Sequence, residues 1–360
     1  MPKDSVPLAD LRRALVIKLR HHGDVLLTSP VFSVLKAQAP QLEIDALVYA
    51  DTAEMLTLHP AIAHVHTIDR AWKLRGPFGQ AAAEWRLLRT LQARRYDLVV
   101  HLTEHPRGAW LARACGARWA VAPKVAGRGR WWTNAFTHVY PHPRGGRRHT
   151  VELNLDALRR IGVQPAPAAR GLSLEPGAPA RARVDQLLAG HGLGAGAFIH
   201  VHPASRWTFK CWPAERMAQL IDRLAAQGHR VVLTGAPSDS ERAMVEAILA
   251  VAGSAPLNLC GQLSLKEMAA LTARARLFIG VDSAPMHIAA AVGTPVVALF
   301  GPSGEIDWGP WQVPARVVAS TRHPCRPCGL DGCGGGKHSD CLVQLEVERV
   351  FAAAQELLGG

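Results

Sequence analysis

Phe278-Ile279-Gly280-Val281-Asp282-Ser283-Ala284-Pro285-Met286-His287-Ile288-Ala289-Ala290-Ala291-Val292-Gly293 is the stretch that decides how this chain folds. An apolar run of strand type ends at Gly280, the polar pair Asp282-Ser283 follows, and a helical apolar pattern begins near Pro285. Asp282 and Ser283 therefore belong where the carboxyl end of a strand hands over to a helix amino terminus. That is where open α/β sheets bind anionic ligands. Thr294-Pro295-Val296-Val297-Ala298-Leu299-Phe300-Gly301-Pro302 then reads as a second buried strand ending in a turn, so two strand ends flank one helix dipole.

The same grammar extends outward in both directions. Upstream, strands are expected at Phe198 to Val201 and Arg230 to Leu233, with helices at Pro213 to Gln227 and Asp239 to Val251. In the first half, strands are expected at Ala14 to Leu19, Leu42 to Val48 and Tyr96 to Leu102. Helical patterns run from Val25 to Gln38, Gln80 to Ala93 and Val151 to Ile161. Strand-helix alternation of this kind predicts parallel, doubly wound sheets. Arg107 to Arg148, rich in Arg, Gly, Trp and His without a clear period, reads as loops around shorter elements. A Pro- and Ala-rich linker at 166 to 179 would separate a first Rossmann-like domain, 1 to 165, from a second, 180 to 344. The second would carry a Cys-rich segment at 325 to 341, and the amphipathic helix at 345 to 360 is expected to join the first domain.

With 360 residues and 48% hydrophobic content, the chain can bury a large core, and its length favours two domains. No apolar run approaches the roughly 20 residues of a membrane span, and residues 1 to 10 lack the apolar core of a signal peptide. A cytoplasmic protein is expected. The net charge of +12 is uneven: residues 1 to 180 carry +11 and residues 181 to 360 carry +1. This asymmetry fits a first half that meets a polyanion, whether nucleic acid, an anionic membrane or a phosphorylated or carboxylated substrate, and fits equally an Arg-rich solvated surface.

Several chemistries lack their signatures. There is no GxxxxGK[ST], no G-x-G-x-x-G after the first strand, no H-E-x-x-H and no G-x-S-x-G. The second-half turns instead supply His202-Pro203-Ala204-Ser205 with Lys210-Cys211-Trp212-Pro213, then Gly235-Ala236-Pro237-Ser238 and the Asp282 loop. Each follows a strand, so all can meet at one crevice. Hydroxyls, helix-start amides and one ammonium suit a diphosphate. Ser205 and Ser283 can equally be helix caps, and Lys210 a solvated side chain. In the first half, Asp24 follows the first strand and has two readings: a general base toward a hydroxyl nucleophile, or a cap on the helix that follows.

Taken together, Val16-Ile17-Lys18, His22-Gly23-Asp24-Val25-Leu26-Leu27-Thr28-Ser29-Pro30, the 202 to 213 segment, Leu233-Thr234-Gly235-Ala236-Pro237 and Gly280 to Ala289 resemble the lipopolysaccharide core heptosyltransferases of glycosyltransferase family 9. The tail Pro327-Cys328-Gly329-Leu330-Asp331-Gly332-Cys333 with Ser339-Asp340-Cys341-Leu342 looks most like their third branch. The resemblance implies a GT-B fold, two facing Rossmann-like domains. It implies an inverting transfer of L-glycero-D-manno-heptose from ADP-heptose to an inner-core heptose, with no metal required. Asp24 would be the general base. Ser205, Lys210, Gly235, Asp282, Ser283, Ala284 and His287 would hold the donor, and Lys18, Arg20, His21, Arg107, Arg128 and Arg130 the acceptor. Members often carry a Thr pair and a Thr where this chain has Ala204-Ser205 and Ser283. The acceptor would be lipid A-core lipopolysaccharide, reached from the cytoplasmic side at the anionic inner membrane surface, with no nucleic acid as partner. Heptose addition of the first or second type, or another nucleotide sugar, remains open within the family. A basic nucleic-acid-binding protein would account for the charge but shows no reader module.

Cys325, Cys328, Cys333 and Cys341 fall within 17 residues and admit two readings: a closed, structural tetrahedral zinc site, or loop thiols, since the second pair lacks CxxC spacing.

Overall fold

The computed structural model describes residues 4–142 and 147–359, so 143–146 of the Arg-, Gly- and Trp-rich segment lie outside it. It divides into two compact units, Met1–Leu174 and Glu175–Gly360. The division falls inside the 166 to 179 stretch.

In the first unit the order is β1 (Arg13–Ile17), α1 (His22–Leu26), α2 (Ser29–Gln38), β2 (Glu43–Tyr49), β3 (His64–Ile68), α3 (Gly76–Arg94), β4 (Leu98–His101), α4 (Pro106–Ala114), β5 (Trp119–Pro123), α5 (Gly129–Thr133), β6 (His138–Tyr140) and α6 (Thr150–Arg160). The second unit runs α7 (Ala178–Gly190), β7 (Phe198–His202), α8 (Ala214–Ala226), β8 (Arg230–Leu233), α9 (Asp239–Val251), β9 (Leu257–Asn258), α10 (Leu265–Thr272), β10 (Leu277–Val281), α11 (Ala284–Ala291), β11 (Val296–Phe300), α12 (Glu305–Trp308), β12 (Ala315–Ala319), α13 (Asp340–Val343) and α14 (Val347–Leu358).

Each unit holds a parallel six-stranded sheet, ordered β3-β2-β1-β4-β5-β6 in the first and β12-β11-β10-β7-β8-β9 in the second. Counted from each unit's first strand, both have the doubly wound order 3-2-1-4-5-6, so the winding reverses between β1 and β4 and between β7 and β10. Ligands of such sheets bind outside the carboxyl ends of the strands at that reversal. The central strands are buried, apart from Arg13 at the start of β1, as sheets covered by helices on both faces require.

Two expectations need correction. The helix read from Val25 to Gln38 is two helices. Pro30 has no amide hydrogen to continue the ladder, so the first turn closes at Leu27 and a new helix starts at Ser29. Within the 107 to 148 segment, the shorter elements among the loops include β5 and β6, which extend the first sheet. The carboxy-terminal helix α14 packs in the second unit, not the first. Its apolar stripe of Val347, Val350, Ala354 and Leu358 is buried in the core built from α8 and the strands β10 and β11. Pairs Arg223–Glu348 and Arg316–Glu356 fasten its outer side to the same unit.

Candidate active site

At the carboxyl edge of the second sheet, three neighbouring strands deliver the residues singled out for the donor. Beyond β7, the chain runs through Ser205 to a short 3-10 helix ending at Lys210. Beyond β10 stands Asp282, 6% exposed. Lys210 Nζ donates to Asp282 Oδ2 at 2.6 Å, bridging the point where the winding reverses. Ser283 occupies the cap position of α11 with an extended backbone, yet its hydroxyl makes no cap bond and turns back to the Val281 carbonyl. Ser205 Oγ accepts from the Trp207 amide and is buried. Ala284 opens α11, and His287 is buried one turn later. Gly235 has a packing reason of its own: a Cβ there would come 2.7 Å from Cys260 Sγ.

Behind this edge runs a polar network that the sequence reading missed. Thr272 donates to its own helix at Met268, so its oxygen accepts from His200 Nδ1 at 3.0 Å. That leaves His200 Nε2 to accept from the Thr234 hydroxyl at 2.7 Å, and Thr234 to accept from His202 Nδ1 at 2.9 Å. Burial holds His200 neutral, with its pKa pushed down to about 3. His202 Nε2 then faces Glu241 at 3.6 Å, and Glu241 accepts the Ala236 amide at 2.7 Å. The β7 and β8 turns are thereby tied to each other. The signal lay in His200 and His202, two residues apart on one face of an otherwise apolar strand.

The first unit has a related arrangement at its own reversal. Lys18, just past β1 and 6% exposed, donates to the Leu102 carbonyl just past β4 and to Asn154 Oδ1, both at 3.1 Å. Asn154 is oriented by donating its own amide to the Leu27 carbonyl at 3.0 Å. Burial lowers the Lys18 pKa to about 8, against the opposing pull of Asp24. Asp24 does not cap α1: His21 holds that position, and Asp24 lies in the first turn. Its carboxylate is 16% exposed and 3.6 Å from the Arg20 guanidinium. Lys18, Arg20 and Asp24 thus come together, with the His21 backbone at the cap of α1 beside them. Arg107 is engaged by Glu84 and Arg128 by the Glu104 carbonyl, and both guanidiniums, after burial, help to lower the pKa of His105 in the loop after β4. Arg130 is exposed on α5. Glu104 and His105 carried no sequence signal beyond their polarity, and Asn154 only its place on the buried face of α6.

Cys325, Cys328 and Cys333 are exposed and Cys341 is buried, all as free thiols. Burial first, with weaker contributions from the other three thiols, raises the Cys341 pKa. Among the described residues no group of three or more His, Cys, Asp or Glu side chains is arranged to hold a metal ion.

The family model for "Glycosyltransferase family 9 (heptosyltransferase)" matches residues 84–337. A lipopolysaccharide heptosyltransferase 3 of Escherichia coli is 37% identical over 296 residues, covering 82% of this chain and 85% of that protein. Among solved structures, a glycosyl transferase of family 9 from Veillonella parvula superposes with a TM-score of 0.84 at 25% identity, covering 99% of both chains. The E. coli heptosyltransferase WaaC with ADP gives a TM-score of 0.73 at 20% identity, over 96% of this chain and 99% of that one.

Proposed function

This chain belongs to glycosyltransferase family 9 and is a glycosyltransferase, and from that premise we propose that it moves L-glycero-D-manno-heptose from ADP-heptose to an inner-core heptose of lipopolysaccharide. The reading is supported by the identity to a lipopolysaccharide heptosyltransferase 3. The single observation that carries the chemistry is the Lys210–Asp282 pair at the reversal of the second sheet. It holds a cation and a carboxylate side by side, one suited to a diphosphate and the other to sugar hydroxyls.

In this mechanism Lys210 turns from Asp282 to the donor diphosphate, supplying the counter-charge for the ADP leaving group, while Ser205 and the amides at the start of α11 bind its oxygens. Asp282 then accepts from heptose hydroxyls, with Ser283, Ala284 and His287 beside it and Gly235 at the nucleotide side. Asp24 takes the proton from the acceptor hydroxyl as its oxygen attacks the anomeric carbon. The C–O bond to the diphosphate breaks on the opposite face, so the anomeric configuration inverts. Arg20 sets its guanidinium 3.6 Å from the Asp24 carboxylate, and Lys18 adds a second positive charge at longer range. Arg20, His21, Arg107, Arg128 and Arg130 meet the carboxylates and phosphates of the acceptor. The enzyme works at the cytoplasmic face of the inner membrane, where that acceptor is anchored.

Transfer of heptose from ADP-heptose to truncated lipopolysaccharide, wild type against Asp24→Asn, tests the proposal. Loss of the base should lower kcat by about 100-fold or more with little change in donor KM. An Asp24→Asn enzyme of unchanged kcat refutes the assigned base. A panel of defined core acceptors fixes which heptose is the target.

A further inference from the structure

Helix α3 is apolar on two sides. Its inner stripe, Ala83, Leu87, Leu88 and Leu91, is buried in the core of the first unit. The outer side of a surface helix is ordinarily polar. Here Phe78 is 90% exposed and Trp85, one heptad on and therefore on the same side, is 60% exposed, with exposed Ala81 and Ala82 between them. The 3-10 helix Arg70–Arg75 leading into α3 adds Leu74 at 79%. The Glu84–Arg107 ion pair ties α4 alongside α3, and one turn beyond Arg107 stands Trp110, 58% exposed. The three aromatics alone leave roughly 400 Å² of ring surface uncovered, the size at which a patch on a monomer is commonly functional.

The charges around this patch identify its partner. Lys73, Arg86 and Arg89 are exposed on the same two elements, and among the described residues none of them has an acidic partner. Arg86 donates only to its own helix at Ala82, and Arg89 lies 5.8 Å over the Trp85 ring. The nearby acids are already engaged, Glu84 by Arg107 and Asp69 by Arg75. Exposed aromatics interleaved with unpaired Arg and Lys match the layer of a bilayer where rings lie at headgroup depth and cations meet lipid phosphates. No helix of the described residues is long and apolar enough to cross a membrane, so the contact is with the surface.

We propose that the outer face of the Arg70–Arg75 turn and α3, extended by Trp110, docks the first unit on an anionic lipid surface. The inference is strengthened by the proposed lipid-anchored acceptor, but lipid binding tests it without any transfer. Purified full-length protein is sedimented with vesicles of phosphatidylethanolamine and phosphatidylglycerol, and with vesicles of phosphatidylcholine. It should bind the anionic vesicles, release them in high salt, and bind phosphatidylcholine weakly. Phe78→Ser/Trp85→Ser should lower partitioning by about tenfold or more, as should Lys73→Glu/Arg86→Glu/Arg89→Glu. Both variants should keep the wild-type Tm, because every changed side chain lies outside the core. They should transfer heptose normally to a deacylated acceptor and slowly to one embedded in vesicles. Equal binding of wild type and both variants would overturn the proposal. So would a concentration-dependent dimer, abolished by Phe78→Ser/Trp85→Ser, in a protein that ignores vesicles, since a second copy of the chain would then be the occupant. Vesicle binding lost in the variants, with no transfer by wild type to either acceptor, would sustain this surface while refuting the proposed function.

Discussion

Severing the Lys210–Asp282 pair probes the donor-side chemistry most directly. The ammonium and carboxylate are 2.6 Å apart, with side chains 23% and 7% exposed. At an effective dielectric near 20, two unit charges at that distance attract by roughly 6 kcal/mol, an upper bound. Desolvating Asp282 offsets much of this, leaving a net value of about 2 kcal/mol, in the range of charge-assisted hydrogen bonds. The single substitutions should be unequal. Lys210→Met abandons a buried carboxylate and should cost about 3 kcal/mol, whereas Asp282→Asn leaves an ammonium that can turn to water and should cost about 1 kcal/mol. For a unit of this size each kcal/mol lowers Tm by about 2–4 °C, giving falls of roughly 6–12 °C and 2–4 °C. Calorimetry of the nucleotide-free full chain at neutral pH, on both single variants and Lys210→Met/Asp282→Asn, yields the coupling energy. About 2 kcal/mol is expected, and strictly additive losses would refute the pair as an energetic unit.

The same variants separate the two roles when ADP binding is followed by calorimetric titration. Lys210→Met should weaken ADP by tenfold or more, about 1.4 kcal/mol. Asp282→Asn should hold or improve ADP affinity, because the carboxylate that competes for the lysine is gone, and should instead weaken the binding of ADP-heptose. Equal weakening of ADP by both substitutions would mean that Asp282 contacts the nucleotide itself.

Three further outcomes follow from the packing. Lys18, with its pKa lowered by burial to about 8 against 10.5 in the unfolded chain, binds its proton less tightly when folded; wild type should therefore gain stability relative to Lys18→Met by up to about 3 kcal/mol as pH rises through that window, read from urea unfolding. Asp45 is buried on β2 and would titrate high for that reason, but hydrogen bonds from His66, Tyr96 and Arg94 outweigh burial and hold it well below the usual carboxylate range. Asp45→Asn should cost about 3 kcal/mol at pH 7, and the gap to wild type should narrow as pH falls below about 4, because a depressed carboxylate contributes fully above its unfolded pKa and loses that contribution on protonation. Gly108→Ala should cost about 1–3 kcal/mol by urea unfolding, since its Cβ would come 2.0 Å from a His101 ring held between Trp132 and Phe136.

What could be read in advance was whatever the backbone enforces locally. β10 and β11 are unbroken apolar runs, and β7 and β8 largely apolar ones, because both faces of a parallel sheet are covered, and a buried run with a polar turn at its end is visible in one dimension. The strands toward the sheet edges were not visible. His64–Ile68 is half-exposed with two histidines, Leu257–Asn258 is two residues long, and Trp119–Pro123 sits in a segment whose Arg and Trp obscure any period. Asp282 stands immediately after a strand, and Asp24 and Lys210 lie in the connections that leave β1 and β7, so their placement followed from the strands. Asn154 could not be found this way. Its spacing with Val151, Leu155 and Leu158 puts it on the buried face of the helix Thr150–Arg160, but its partner Lys18 lies 136 residues away, which no local pattern reveals. The carboxy-terminal helix was misassigned for a similar reason: an amphipathic pattern fixes that a helix will bury one face, but not which sheet receives it.

On the proposed function, one topology gives two chemistries. In each unit, a lysine on the chain that follows the first strand spans the reversal of the winding to the chain leaving the fourth, Lys18 to the Leu102 carbonyl and Lys210 to Asp282. The difference lies in the partner and the burial. Lys18 is nearly sealed and gives two of its three ammonium hydrogens to neutral oxygens, with Asp24 felt only at a distance. Lys210 is more open and is held by a single carboxylate, which a diphosphate with two negative oxygens can displace. On the proposed function, the sealed lysine stands beside the base and the lysine on an exchangeable partner binds the anion. On this argument exchanging the partners should exchange the roles: Asp282→Ser should leave Lys210 a weaker latch but a stronger phosphate ligand, raising ADP affinity by up to about tenfold, whereas Asn154→Asp should pin Lys18 as a permanent cation. An Asn154→Asp enzyme whose Lys18, followed by nitrogen-15 NMR, still titrates near pH 8 would refute that symmetry.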